Sequence, residues 1–181
     1  RILFLTQYYP PEVGAAPARA AHFARALVRA GHRVTVITGL PNHPSGLLQE
    51  GYRPGDREER DGILVHRTWL YATPRKTPWT RLANHLSFAF SACGAAVRGG
   101  PFDLVLVTVP PLFIGTTGWL ASCRHRAPLI VDVRDDWPRA AIALGEMRPG
   151  IVASILSAQS GFLYQRAARV IAVTRGMQRS L

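Results

Sequence analysis

The chain is short of lysine: Lys76 is the only one, so nearly all of its 22 basic residues are arginines, set against 11 acidic residues. The formal charge of +11 favours polyanionic company, whether phosphorylated ligands, anionic membranes or nucleic acid. An arginine bias of this kind also follows from base composition, so the charge alone does not choose among them. Cysteine is scarce too. Cys93 and Cys123 sit in apolar, helical patterns where a thiol serves as a small hydrophobe, which excludes a disulfide-stapled fold and makes a reduced, cytoplasmic setting the expectation. Neither Gly-x-Gly-x-x-Gly nor a Gly-Lys-Ser/Thr phosphate loop occurs, which disfavours a dinucleotide-dependent dehydrogenase or an ATPase. The six histidines show no His-x-x-x-His or Cys-paired spacing, so no protein metal site is expected. A Ser-His-Asp site lacks its Gly-x-Ser-x-Gly elbow. The longest charge-free run, Leu104 to Cys123, is interrupted by Pro110 and Pro111. It reads as a buried strand followed by a buried helix, and not as a membrane span.

What is present is a globular composition, 48% hydrophobic and 18% charged, in 181 residues, enough for one domain over residues 1–181 with its own core. The chain is organised around its first unit. Ile2 to Thr6 is a short apolar strand of the kind found in a parallel sheet covered on both faces. A proline-bounded loop, Tyr8 to Pro17, leads to a helix patterned from Ala18, with Ala20, Phe23, Ala24, Leu27 and Val28 on one side, and Gly31 ends it. Gly14 lets a ligand approach the backbone, and the free N–H groups of the helix start suit an anion. The plain alternative is an ordinary strand-to-helix turn.

Further strands are expected at His32 to Thr38, Ile63 to Thr68 (extended by Trp69, Leu70 and Tyr71), Phe102 to Val109, Pro128 to Val133 and Arg169 to Thr174. The polar stretch from Pro41 to Asp61 reads as a long surface loop. Helices are expected over Trp79 to Arg98, from Pro111, over Ile151 to Ala168, and from Arg175 to Leu181, where the last one stops in mid-course. Gly115 and Gly118 would let the second of these sit close to a neighbour. The stripe Trp79, Leu82, Leu86, Phe90, Cys93 and Val97 reads as the buried face of a core helix. A competing reading joins Trp69, Tyr71, Arg75, Lys76, Trp79 and Arg81 into an interfacial patch for an anionic membrane surface. Strands alternating with helices throughout predict an α/β fold: a Rossmann-like open parallel sheet with helices on both faces and ligands at the carboxyl ends of its strands.

That rule selects Gln7 to Arg19, Asn42 and His43, Pro110 and Pro111, Asp132 to Trp137, and Thr174 onward. The most polar is Asp132-Val133-Arg134-Asp135-Asp136-Trp137. Three carboxylates in five residues are costly to bury together, so at least one is expected to ionise against Arg134 or to carry a raised pKa. A salt-bridged loop without catalytic duty fits the same residues.

Arg-Ile-Leu-Phe-Leu-Thr-Gln-Tyr-Tyr-Pro-Pro-Glu at 1–12, Gly14, Arg19, Ala-Gly-His-Arg-Val-Thr-Val-Ile-Thr at 30–38 and Asp-Val-Arg-Asp-Asp-Trp-Pro at 132–138 together resemble the amino-terminal domain of family-four GT-B glycosyltransferases, in the bacterial branch that builds surface and capsular polysaccharides. The resemblance implies one of two Rossmann-like halves of a retaining, metal-independent enzyme of hexosyltransferase type, with no cofactor beyond the nucleotide-diphosphate sugar as co-substrate. Transfer to a glycan or lipid-linked acceptor would occur in the cleft between this acceptor-binding half and a carboxy-terminal donor domain that is missing from the sequence. Carried over by position, Gly14 and Ala15 approach the donor phosphates. Asp135, with Asp136 second, would be catalytic, and Arg19, Asn42, His43 and Arg134 line the acceptor side. Placement in the cytoplasm, peripheral at the inner face of the plasma membrane, goes with a lipid-linked acceptor. Glu50 and Glu58 reproduce the spacing of the family's paired donor-half glutamates, but in an early polar loop, where the match reads as chance. The alternatives are a non-catalytic sugar- or lipid-binding module of the same fold, and a basic nucleic-acid binder. For the latter no recognition helix or aromatic-basic motif is present, so no nucleic-acid partner is expected.

Overall fold

The computed structural model describes residues 1–75, 77–145 and 147–181. In chain order its elements are β1 (Ile2–Leu5), α1 (Ala15–Arg29), β2 (Val34–Gly39), β3 (Arg57–Arg60), β4 (Ile63–Thr68), α2 (Pro78–Arg98), β5 (Leu104–Val109), α3 (Leu112–His125), β6 (Leu129–Val133), α4 (Arg139–Ala143), α5 (Ile151–Arg166), β7 (Arg169–Ala172) and α6 (Arg175–Ser180). The strands form one sheet in the order β3-β4-β2-β1-β5-β6-β7. Every neighbouring pair is parallel except β3 with β4. With that edge strand set aside, the order is that of a doubly wound Rossmann-like sheet whose direction reverses between β1 and β5, the place where such folds open a crevice for ligands.

The sheet is central because its strands are apolar on both faces. Successive side chains of a strand point to opposite sides. Phe4, Val34, Val36, Ile63, Val65 and Leu106 accordingly meet Ala20, Ala21 and Ala24 of α1. Leu3, Leu5, Val105, Val107, Val131 and Val133 meet Phe88, Ala92, Ala96, Ile114 and Leu163 of α2, α3 and α5. Gly118 sets the distance between α3 and β5, since a Cβ there would lie 3.0 Å from Val107 Cβ and 3.1 Å from its Cγ1. Gly115 faces Leu163 of α5 in the same way.

Four expectations need correction. Helix α1 starts at Ala15, two residues before Pro17. Pro17 is still tolerated, because none of the first few helical N–H groups has a partner within the helix. The expected loop before Asp61 contains β3, whose sequence Arg-Glu-Glu-Arg has no apolar alternation to announce it. Its cause is the turn: Asp61 and Gly62 both take positive φ, 54° and 73°, as a two-residue hairpin requires. Strand β4 ends at Thr68, so Trp69 and Tyr71 lie beyond the sheet. Most consequential is α2, which buries Phe88, Ala89, Ala92 and Ala96 and turns the expected core stripe outward. Trp79 is 79% exposed, Phe90 84% and Leu86 44%. Both faces of this helix are apolar, so periodicity could not choose between them. The alanine face wins because it allows α2 to lie close to α3, with Thr117 Oγ1 of α3 donating to the Ala89 carbonyl at 2.9 Å.

Close packing at Gly118 predicts that Gly118→Ala destabilises the fold by about 1–3 kcal/mol through overpacking. Gly161→Ala, on α5 with nothing within 4 Å of the added carbon, is expected to be neutral or stabilising by up to about 1 kcal/mol. Urea unfolding of the two variants against the parent checks both signs.

Candidate functional site

At the carboxyl end of β1 the chain enters a loop whose proline pair turns Glu12 inward. Its carboxylate is 4% exposed. It accepts hydrogen bonds from three backbone N–H groups: Tyr9 at 3.1 Å, Asn42 at 3.0 Å and His43 at 2.9 Å. Burial raises the Glu12 pKa, and the three N–H groups pull it part of the way back. One side chain thus joins the loops that follow β1 and β2. It brings the His43 ring to 5.2 Å from the ring of Tyr8, and places His43 Nε2 3.9 Å from where a Cβ on Gly14 would be. Burial, with Glu12 nearby, pushes the Tyr8 phenol up to about 12, partly opposed by Arg81. Gly14 caps α1 at φ 146°, no side chain caps the helix start, and its first turn holds no acidic residue. The N–H groups of Ala15 and its neighbours are therefore open to an anion at the sheet's reversal point.

A second network lies beside it. Gln7 is buried. Its Nε2 donates to Asn84 Oδ1 at 2.5 Å, and its Oε1 lies 2.9 Å from His85 Nδ1. Asn84 in turn donates to the Tyr71 carbonyl at 2.8 Å. This pattern makes Nδ1 the protonated nitrogen of His85 and leaves Nε2 as an acceptor. Burial, with Arg81 adding to it, lowers the His85 pKa to about 4, so the ring is neutral at pH 7.

On the α1 side of the sheet, Arg19 Nη2 donates to Asp132 Oδ1 at 2.7 Å, and Thr108 Oγ1 donates to Asp132 Oδ2 at 3.3 Å. Asp132 is 2% exposed, and its partner Arg19 also lies over the Phe23 ring at 5.1 Å. Of the three carboxylates expected to include a partner for Arg134, Asp132 pairs with Arg19 instead. Arg134 is half-buried, and its N–H donates to the Val109 carbonyl at 2.9 Å. Asp135 is exposed at the rim, while Asp136 lies 4.0 Å from Arg139.

The candidate residues therefore divide. Gly14, Ala15 and His43 come together at one end of the crevice. Asp135, Asp136 and Arg134 follow β6, two strands away or roughly 10 Å across the sheet. Asn42 is buried and its amide donates to the Leu40 carbonyl at 2.9 Å, so it shapes the loop from within. Arg19 is engaged by Asp132 and reaches the crevice only through its partly exposed edge. In the aromatic and cationic patch, Trp69, Tyr71, Arg75 and Trp79 are exposed. Arg81 acts electrostatically on Tyr8 and His85, and thus belongs to the crevice. Lys76 lies outside the described residues. Gln7, Glu12 and Asp132 fall within spans selected from the sequence but were given no individual role there, and His85 was not singled out. Glu12 carries no motif, and His85 is a lone histidine in a helical pattern.

Among the described residues, no three His, Cys, Asp or Glu side chains gather as metal ligands, and no helix is long and apolar enough to cross a membrane. The doubly wound sheet with an open helix N-terminus at its reversal point defines a Rossmann-like half of the GT-B type. Residues 14–181 match the glycosyl transferase 4-like domain, and the chain belongs to that family. Its function is accordingly of the glycosyltransferase type, with a sugar donor and an acceptor as substrates. No curated protein matches the chain.

The buried imidazole gives a pH test. Because its folded pKa of about 4 lies below the ordinary 6.5, the unfolded chain takes up the proton first as pH falls. The contribution of His85 is complete above pH 6.5 and declines toward pH 4, by on the order of 2–3 kcal/mol. Glu12, with its raised pKa, acts in the opposite sense and loses its contribution as pH rises through its folded value. Urea unfolding of parent and His85→Gln across pH 7 to 4.5 separates them: the parent's decline is expected to be steeper, and parallel curves would contradict the assignment.

Proposed function

We propose that this chain is the acceptor-binding half of a retaining, metal-independent glycosyltransferase of hexosyltransferase type. It moves a sugar from a nucleotide-diphosphate donor to a glycan or lipid-linked acceptor in surface-polysaccharide biosynthesis, and it works against a second, donor-binding domain. The observation that carries the reading is the uncapped N-terminus of α1 at Gly14, exposed beside His43 at the point where the sheet reverses. A leaving diphosphate gathers negative charge as the glycosidic bond breaks. N–H groups already aimed at that position stabilise it without reorganising.

In this reading Asp135, exposed after β6, meets the acceptor hydroxyl and takes its proton or orients it, and Asp136, close to Arg139, supports it. His43 and Arg134 line the acceptor side, while Arg19 and Asn42 serve by holding Asp132 and the loop after β2. The neutral His85 adds an acceptor atom for a substrate hydroxyl. The outward stripe of α2 suits a protein working at the inner face of the plasma membrane. Trp79, Leu86 and Phe90 are exposed, and the sequence has no acidic residue between Asp61 and Asp103, so an anionic surface would meet aromatics and cations without like-charge repulsion.

Asp135→Asn in the complete enzyme tests the central role. A fall in the transfer rate of about 100-fold or more is expected for loss of a general base, with donor binding retained. An unchanged rate would remove Asp135 from the chemistry, and absence of transfer by the parent itself would favour a non-catalytic sugar- or lipid-binding module of the same fold.

A further inference from the structure

A cavity of about 490 Å³ lies outside the crevice. It lies on the flank of the sheet between β4, the start of β3 and the C-terminal half of α2, lined by Arg57, His66, Thr68, Trp69, Ser91 and Arg98 among others. Its charges have one sign. Arg57 and His66 are register partners across the β3–β4 ladder, and Arg98 folds back over Gly94, where a Cβ would lie 2.9 Å from its Nη2. Among the described residues neither arginine has a carboxylate partner. Glu58 is taken by Arg67 at 2.6 Å, the Asp56 side chain accepts from the Arg53 N–H at 2.7 Å, and Glu59, on the same face of β3 as Arg57, does not line the cavity. His66 is kept below its ordinary range by burial and by Arg57, so at pH 7 it offers a neutral hydrogen-bonding ring.

Two guanidinium groups converging on a concave site without counter-charge match a phosphate, which an arginine fork binds through paired N–H donors. The exposed Trp69 lies at the cavity's mouth. On α2, Ser91 and Arg98 face the cavity, while Trp79, Leu86 and Phe90 stand on a ridge roughly 100° further round the helix. The geometry points to a phosphate site at the Arg57–His66–Arg98 cavity that takes the headgroup of an anionic lipid while the neighbouring α2 ridge meets the apolar layer. The lipid half of this proposal rests on the membrane reading above; the phosphate half does not.

The test combines calorimetric titration with inorganic phosphate and with soluble dihexanoyl phosphatidic acid, and sedimentation with phosphatidylcholine vesicles with or without phosphatidic acid. The proteins are the parent, Arg57→Gln/Arg98→Gln, Trp79→Ser/Phe90→Ser, and a charge-matched control, Arg29→Gln/Arg33→Gln. Thermal unfolding verifies that each is folded. The parent is expected to bind phosphatidic acid in both forms. Arg57→Gln/Arg98→Gln should lose about tenfold or more in both assays, the control should lose little, and Trp79→Ser/Phe90→Ser should lose vesicle binding only. Arginine-dependent binding of inorganic phosphate without vesicle binding would support the phosphate site with a soluble source and overturn its lipid half. Equal losses in the Arg57/Arg98 and control variants, or no phosphate binding at all, would overturn the site.

Discussion

One buried carboxylate holds the ligand-facing edge of this molecule together. Glu12 gathers the N–H groups of Tyr9, Asn42 and His43 and so joins two loops that would otherwise end independently above β1 and β2. A buried carboxylate is costly unless its oxygens are satisfied, and here that cost is offset only if both loops keep their shape. The loop is also held from below, because the buried Arg67 on β4 donates to the Pro10 carbonyl while paired with Glu58. Gly14 and His43 therefore meet as parts of one arrangement, and α1 begins where its free N–H groups face the crevice.

The rest of the fold follows from how small residues set distances. Ala92 and Ala96 draw α2 toward the core, and Gly118 does the same for α3 against β5. Close packing on the alanine side is what leaves Trp79, Leu86 and Phe90 on the surface. A helix that exposes large apolar side chains beside a cation-lined cavity carries a surface suited to something other than water. In the function proposed above, the crevice and the flank divide two tasks, chemistry at the carboxyl edge of the sheet and docking along α2.

Much of the architecture was legible because parallel strands buried on both faces announce themselves. Ile2–Leu5 and Leu104–Val109 are uninterrupted apolar runs, and the carboxyl-end rule then directed attention to Gly14, His43 and Asp135. What escaped had physical reasons. Strand β3 is Arg-Glu-Glu-Arg and exists by virtue of the Asp61-Gly62 turn. The orientation of α2 depends on which of two apolar faces packs more closely, a tertiary matter. Glu12, Gln7 and His85 matter through partners far away in sequence, as in the separation of 78 positions from Gln7 to His85, and no local pattern encodes such a meeting. Arg134 was the expected partner for at least one of the three neighbouring carboxylates, yet strand geometry sends Asp132 to the α1 side of the sheet, where Arg19 waits.

The most direct measurement is backbone hydrogen exchange of the Tyr8–Pro17 and Leu40–Gly46 segments in the parent and in Glu12→Ala. If one carboxylate organises both loops, the amides of Tyr9, Asn42 and His43 will lose protection together in the variant, while β1, β5 and β6 keep theirs. Unchanged protection in the loop after β2, with only the loop after β1 loosened, would contradict the account.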